Sequence, residues 1–263
     1  MTALGVVLLV LGAAVTALMP LWALLTWSDR RERRRIARLS ISRCADVARS
    51  GQRLCVVEGR SRPAAGPLTA PLSGEPCVWY FSKVTEDVDD DLESSRLVWE
   101  TGGAMAFAVQ DETGSVLVDG SLVHPGHPSR RLEHRPPVRR VVDEEVRSPR
   151  QSTHLQDLIA RGVLSEKSFE RGWLSGSRGW TVREYVLPAG EPLHVQARLG
   201  FRDGRPVLGD ARRKHLVTGH TQAQLIDHLD QGVRTGAGCL LLGLVGGPLL
   251  FVAGYLLVMA SGG

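Results

Sequence analysis

The amino-acid sequence predicts an α+β protein, with a predominantly β domain between two transmembrane helices. Three observations carry that reading. Residues 1–27 and 235–263 hold no charged side chain. The middle of the chain alternates short β-branched and aromatic runs with turn signals. The positive charge is gathered in one place. Ser28–Arg43 holds Arg30, Arg31, Arg33, Arg34, Arg35, Arg38 and Arg43 against Asp29 and Glu32, a local net charge of +5, and the rest of the 263-residue chain sums to −1. The overall +4 therefore does not describe a basic protein, and it argues against a nucleic-acid partner.

Ala3–Trp27 is apolar, with Thr16 and Thr26 its only hydroxylated interruptions. A helix needs about 20 such residues to cross a hydrocarbon core of roughly 30 Å. Thr235–Ala260, rich in Leu, Val and Gly, is a second run of this kind. Pro20 and Pro248 lie inside the spans, where membrane helices tolerate them. The basic cluster follows the first run instead of preceding it, and that run is too long for a signal-peptide core. The pattern is that of an uncleaved anchor. Arginine-rich short flanks stay in the cytoplasm. The expected topology is an integral membrane protein with two helices, a cytoplasmic central domain and both termini outside.

Arg30, Arg31, Arg33, Arg34 and Arg35 are the expected contacts to anionic lipid head groups, worth about 1 kcal/mol per basic side chain near such a surface. Gly243 with Gly247, and Ala13 with Ala17, form small-xxx-small pairs that favour close helix approach or self-association. The expected organisation is a membrane helix over 1–27, a basic juxtamembrane segment over 28–43, a β-rich domain over 44–234 and a membrane helix over 235–260.

Within the domain, Leu54–Glu58 reads as a strand, followed by a Pro/Gly/Ala loop through Pro71. Cys77–Val84 is a strong strand, and Leu97–Thr101 and Met105–Gln110 follow. Asp111-Glu-Thr-Gly114 turns the chain into Ser115–Asp119. Val138–Val146, Trp180–Leu187 and Leu193–Leu199 are further strands. Pro188-Ala-Gly190 and Asp203-Gly204 mark turns. Helical patterns cover Ser152–Arg161 and Thr221–Arg234, the latter with Leu225, Ile226 and Leu229 on one face. The runs Val78-Trp79-Tyr80 and Leu97-Val98-Trp99 are expected in the sheet core.

Metal and cofactor signals are absent. Cys44, Cys55, Cys77 and Cys239 form no CxxC pair. His124 and His127, in the run HPGHP, read as a loop. Glu86–Glu93 carries six acids in eight residues, with Asp87, Asp89 and Asp91 spaced as in a calcium loop. Leu92 and Val98 stand where such a loop needs Gly and Glu, so a solvated loop between strands is expected. No GxSxG, HExxH or GxxxxGK[ST] motif occurs. No cofactor, metal or catalytic residue is expected.

Three ordered segments resemble a known family. Pro71-Leu-Ser-Gly-Glu-Pro-Cys-Val-Trp-Tyr80 resembles the "SPLSG-x-PCVWY" stretch of GIDE-type domains, also called BAM (beside-a-membrane) domains. Phe107–Val118 is similar to that family's hairpin, and Glu184–Leu193 to its "E-x-x-L-P-x-G-x-x-L" stretch. The order helix, domain, helix is also the family's. Its best-known members are mitochondrial E3 ubiquitin ligases of the Mulan/GIDE type, whose activity resides in a C-terminal RING finger. No Cys or His follows Cys239 here, so the resemblance implies the shared domain and not ligase activity. The expected role is binding or sensing at the membrane surface, with a protein partner, a lipid head group or a second copy. The alternatives are a ligase-related protein and a membrane hydrolase. The expected partner-binding loops are Pro71, Leu72, Ser73, Gly74 and Pro76, and the hairpin at Asp111 and Gly114. A role for these residues in turn geometry alone competes with that reading.

Overall fold

A computed structural model describes residues 3–49, 54–88, 95–125, 137–167, 169, 177–209 and 215–260. The chain divides into two compact units. One is Met1–Ser40 with Gln222–Gly263, and the other is Ile41–Thr221.

The first unit is a helix pair, α1 (Ala3–Ala37) and a C-terminal helix, Gln222–Ala260. Both are long and apolar enough to cross a membrane. Each extends beyond its apolar run. The first continues through the arginines, and the second joins the amphipathic Thr221–Arg234 pattern to the apolar run without a break.

Glycines bring the two helices together. Gly5 and Gly12 are buried on α1, and Gly236, Gly243, Gly247 and Gly254 on the other helix. A Cβ on Gly12 would stand 2.6 Å from the Phe251 nitrogen and 2.8 Å from the Gly247 carbonyl oxygen. One on Gly254 would stand 2.8 Å from the Gly5 carbonyl oxygen, and one on Gly236 2.6 Å from Thr26 Oγ1. Only backbones without Cβ atoms approach this closely, and the pairing order shows that the helices are antiparallel. Gly243 and Gly247 thus act within the chain. Ala13 and Ala17 do not, because both are exposed. The α1 contacts repeat every seven residues, and Ala13 lies about 100° around the helix from Gly12.

At the polar end Arg33 Nη2 donates to Asp230 Oδ2 at 2.9 Å. Gln222 Nε2 donates to the carbonyl oxygens of Ile36 at 2.6 Å and Leu39 at 3.0 Å. These accept at the C-terminal end of α1, where helical donors run out.

The second unit is built on a closed barrel. β1 (Leu54–Pro63) pairs with β6 (Phe107–Gln110) on one side and with β10 (Pro192–Arg202) on the other. β6 forms a hairpin with β7 (Ser115–Val118), and β10 one with β11 (Arg205–Gly209). β7 and β11 run parallel and close the ring, and β12 (Leu216–Thr218) adds to β10. Asp203 and Gly204, at φ 52° and 74°, make the β10–β11 turn. Five strands in the order β1-β6-β7-β11-β10 have the connectivity of the oligonucleotide/oligosaccharide-binding (OB) barrel.

Two excursions leave this barrel. β2 (Leu68–Thr69), β3 (Pro76–Cys77), β4 (Trp79–Val88) and β5 (Ser95–Gly102) lie between β1 and β6. β8 (Arg139–Val146), α2 (Thr153–Ala160) and β9 (Ser177–Leu187) lie between β7 and β10. They meet in an antiparallel sheet of order β5-β4-β9-β8. The C-terminal helix of the first unit is α3.

The barrel core joins Val57, Phe107, Val109, Val118, Val195 and Leu208 to Trp79, Phe81 and Leu187 from the sheet. Trp79 is fully buried, and its Nε1 donates to the Gly103 carbonyl at 3.0 Å. A second core packs Leu155 and Leu158 of α2 against Val84, Val142, Trp180 and Val182. Ser152 caps α2 by accepting from the Leu155 nitrogen at 3.2 Å.

Two expectations need correction. The Cys77–Val84 run is two strands, because Cys77 pairs with β2 while the Val78 nitrogen donates to Leu187. The acidic stretch does not begin as a solvated loop, since β4 runs through Val88. Glu86 is fully buried and accepts from Arg96 Nε at 2.8 Å, its cross-strand partner on β5. Residues 89–93 of that stretch, and His127, lie outside the described residues. His124 packs its ring 4.1 Å from that of Phe81.

The helix pair predicts a positional contrast. Gly12→Leu forces the helices apart and lowers stability by about 1–3 kcal/mol, whereas Ala13→Leu is near neutral. Thermal unfolding of the full chain in detergent micelles checks this. Equal losses at the two positions would contradict the glycine contact.

Candidate functional site

The loop Pro71–Pro76 is tied down from below. Glu184 on β9 is fully buried beside Ser82, its cross-strand partner on β4. Its carboxylate accepts from the Leu72 nitrogen at 2.9 Å, the Ser73 nitrogen at 2.8 Å and Ser82 Oγ at 2.7 Å. A buried carboxylate requires such donors. The Pro71 carbonyl accepts from Arg161 Nη2 at 2.8 Å. Gly74, at φ 73°, donates to the Ala70 carbonyl, and Glu75 pairs with Arg139. Leu72 is buried, and Gly74 and Pro76 are exposed. The backbone of this loop is therefore engaged within the domain. Burial, with the Glu184 charge as a second cause, pushes the neighbouring Cys77 thiol up to about 11.

The second expected loop is held by its own aspartate. Asp111 Oδ1 accepts from the Thr113 nitrogen at 2.7 Å, Thr113 Oγ1 at 2.6 Å and the Gly114 nitrogen at 3.0 Å. Its Oδ2 accepts from the Cys44 nitrogen at 2.8 Å, which ties the hairpin to the 3-10 turn Cys44–Arg49. Desolvation opposes ionisation of Asp111, but these donors, led by Thr113, outweigh it and hold the carboxyl at about 2. Burial, then the Asp111 charge, pushes the Cys44 thiol up to about 12. Neither thiol is a nucleophile at neutral pH.

Beside this hairpin lies an open groove of about 550 Å³, lined by Arg43, Gly59, Arg60, Arg62, Gln110 and Asp111–Thr113. Gly59 lets β1 approach β6, since a Cβ there would meet the Gln110 backbone. Arg60 Nη1 donates to the Gly190 carbonyl at 2.9 Å, and Arg62 Nε to Gln110 Oε1 at 3.0 Å. These bonds set the two side chains and leave further guanidinium N–H groups to donate. Of the residues expected in partner-binding loops, the groove takes Asp111. It takes none of Pro71, Leu72, Ser73, Gly74 or Pro76. Arg60 and Arg62 were missed, although their two-residue spacing on one strand face was the available signal.

The arginine collar divides. Arg33 pairs with Asp230 and Arg35 with Glu32, while the Arg31 guanidinium stands 5.6 Å over the Trp27 ring. Arg30 and Arg34 are exposed. Among the described residues, no three His, Cys, Asp or Glu side chains gather in a way that could hold a metal ion.

A family model for GIDE, described as E3 ubiquitin ligase, matches residues 82–253. The chain belongs to the GIDE family. The match covers Asp111, Glu184 and most of α3, and it begins after Pro71–Pro76 and the groove residues of β1. No curated protein and no solved structure matches the chain.

Two predictions arise in this domain. Glu184→Ala strands two backbone donors and a hydroxyl, and costs about 3 kcal/mol or more. Glu184→Gln retains one acceptor and costs less. Urea unfolding followed by tryptophan fluorescence gives both values. The depressed carboxyl of Asp111 stabilises the fold fully above its ordinary value of 3.8, and that contribution fades as the pH falls towards about 2. Asp111→Asn should flatten the stability profile across that window, and an unchanged profile would refute the assignment.

Proposed function

We propose that this GIDE protein is a two-pass membrane protein whose barrel domain is a cytoplasmic binding module, non-catalytic, for a protein partner bearing carboxylate or phosphate groups. The groove beside the Asp111 hairpin carries this reading. Three guanidinium groups line it, two of them fixed by hydrogen bonds on a barrel strand. Planar guanidinium forks suit carboxylate and phosphate oxygens. The acidic charge of Asp111 is already met by four donors of the protein itself.

The charge bias of the first helix supports a cytoplasmic domain with both termini outside. The family's description favours a second reading, a ligase-related role, which ubiquitin transfer by the purified full chain with E1 and E2 would establish.

The test begins with topology. Glu112→Cys provides an exposed thiol in the groove, since the native domain cysteines are buried. A membrane-impermeant maleimide should label it only after the cells are permeabilised, and labelling of intact cells would overturn the cytoplasmic placement. Arg60→Glu combined with Arg62→Glu should abolish crosslinking of partner proteins to the groove in native membranes. Undiminished crosslinking would reject the groove as the binding site.

A further inference from the structure

The helix pair has a groove of its own. Pro20, Ala23, Leu24, Thr26 and Trp27 of α1 line it with Leu240 of α3, and Arg30 stands at its end, around about 790 Å³. That volume lies within the roughly 300–1,000 Å³ of ordinary ligand sites. The wall is apolar, because the Thr26 hydroxyl is spent on the Trp22 carbonyl at 2.8 Å. The groove flanks the contact of Thr26 with Gly236, where the missing Cβ brings the helices together.

We propose that this groove binds one anionic phospholipid, with an acyl chain along Pro20–Leu24 and Leu240 and the phosphate on Arg30. The proposal rests on the reading that both helices cross a bilayer, and three observations support it. Pro20 to Arg30 spans ten residues at about 1.5 Å each, or about 15 Å. That is half of a hydrocarbon core of roughly 30 Å, the depth of one leaflet. Trp27 is 60% exposed with the Arg31 guanidinium over its ring, an arrangement suited to the head-group level. The collar arginines Arg33 and Arg35 are taken by carboxylates, whereas exposed Arg30 ends an apolar groove. A long apolar wall that ends in one cation is complementary to a lipid with an anionic head group.

The test uses the full chain in nanodiscs of equal phosphatidylglycerol and phosphatidylcholine with identical acyl chains. Native mass spectrometry then counts the lipid retained per chain. The expected result is one phosphatidylglycerol, preferred about fivefold, the equivalent of about 1 kcal/mol for one basic side chain at an anionic surface. Arg30→Gln should erase the preference. Arg34→Gln, which removes the same charge one helical turn away, should keep it. Ala23→Trp should fill the groove and release the lipid, whereas Ala14→Trp, outside the groove, should not.

Equal losses from Arg30→Gln and Arg34→Gln would mean diffuse attraction and overturn the site, as would retention of no lipid. Alkaline carbonate extraction of the same protein separates the two failures. A chain that leaves the membrane defeats the bilayer reading itself, and one that stays without lipid preference defeats only the site.

Discussion

Strand β10 is the constraint on which the domain depends. Its residues 192–198 pair with β1, 194–196 also pair with β12, and 198–202 pair with β11. Without the β1–β10 ladder the remaining strands would form an open sheet with two unprotected edges. Closure turns Val57, Val195 and Leu208 inward to a shared core, while the far end of β1 pairs with β6 in a ladder of its own. That pairing places Arg60 and Arg62 against Gln110 and creates the groove. The groove is thus a product of strand pairing between segments about 50 residues apart in the sequence.

This explains which features were legible from the sequence. The two long apolar helices, most strands and α2 announce themselves through local period and composition. The Pro188–Gly190 and Asp203-Gly204 turns do so through residues suited to unusual dihedrals. Barrel closure does not, because the parallel β7–β11 pairing leaves no local trace. Glu184 is similar. Its position in β9 was visible, but its partners are amides of a loop about 110 residues earlier. A buried carboxylate is identified by its donors, which only the fold brings together. The acidic stretch misled for the same reason, as Arg96 is what permits Glu86 to be buried. Asp111 was legible because three of its four donors are its own neighbours.

The arginines show how one residue type serves different ends. Arg33 locks two helices through Asp230, Arg96 allows a carboxylate into a sheet, and Arg161 holds the Pro71 carbonyl. The simple sum of positive charge near α1 therefore overstates what faces outward. What remains is positional. Some guanidinium groups are committed within the chain, and others stand at grooves where an external anion would complete them.

The antiparallel packing of α1 and α3 has a thermodynamic consequence for the chain between Ile41 and Thr221. Both ends of that stretch are fastened to one clasp, so the stretch is a closed loop even when it unfolds. Closing a loop of this size removes conformational entropy worth about 5 kcal/mol from the disordered state, by the argument applied to disulfides. The glycine seam of the helix pair thus acts as a non-covalent crosslink. A substitution such as Gly12→Leu, within the helix pair alone, would free the unfolded ensemble and so destabilise the barrel domain through the chain that joins them.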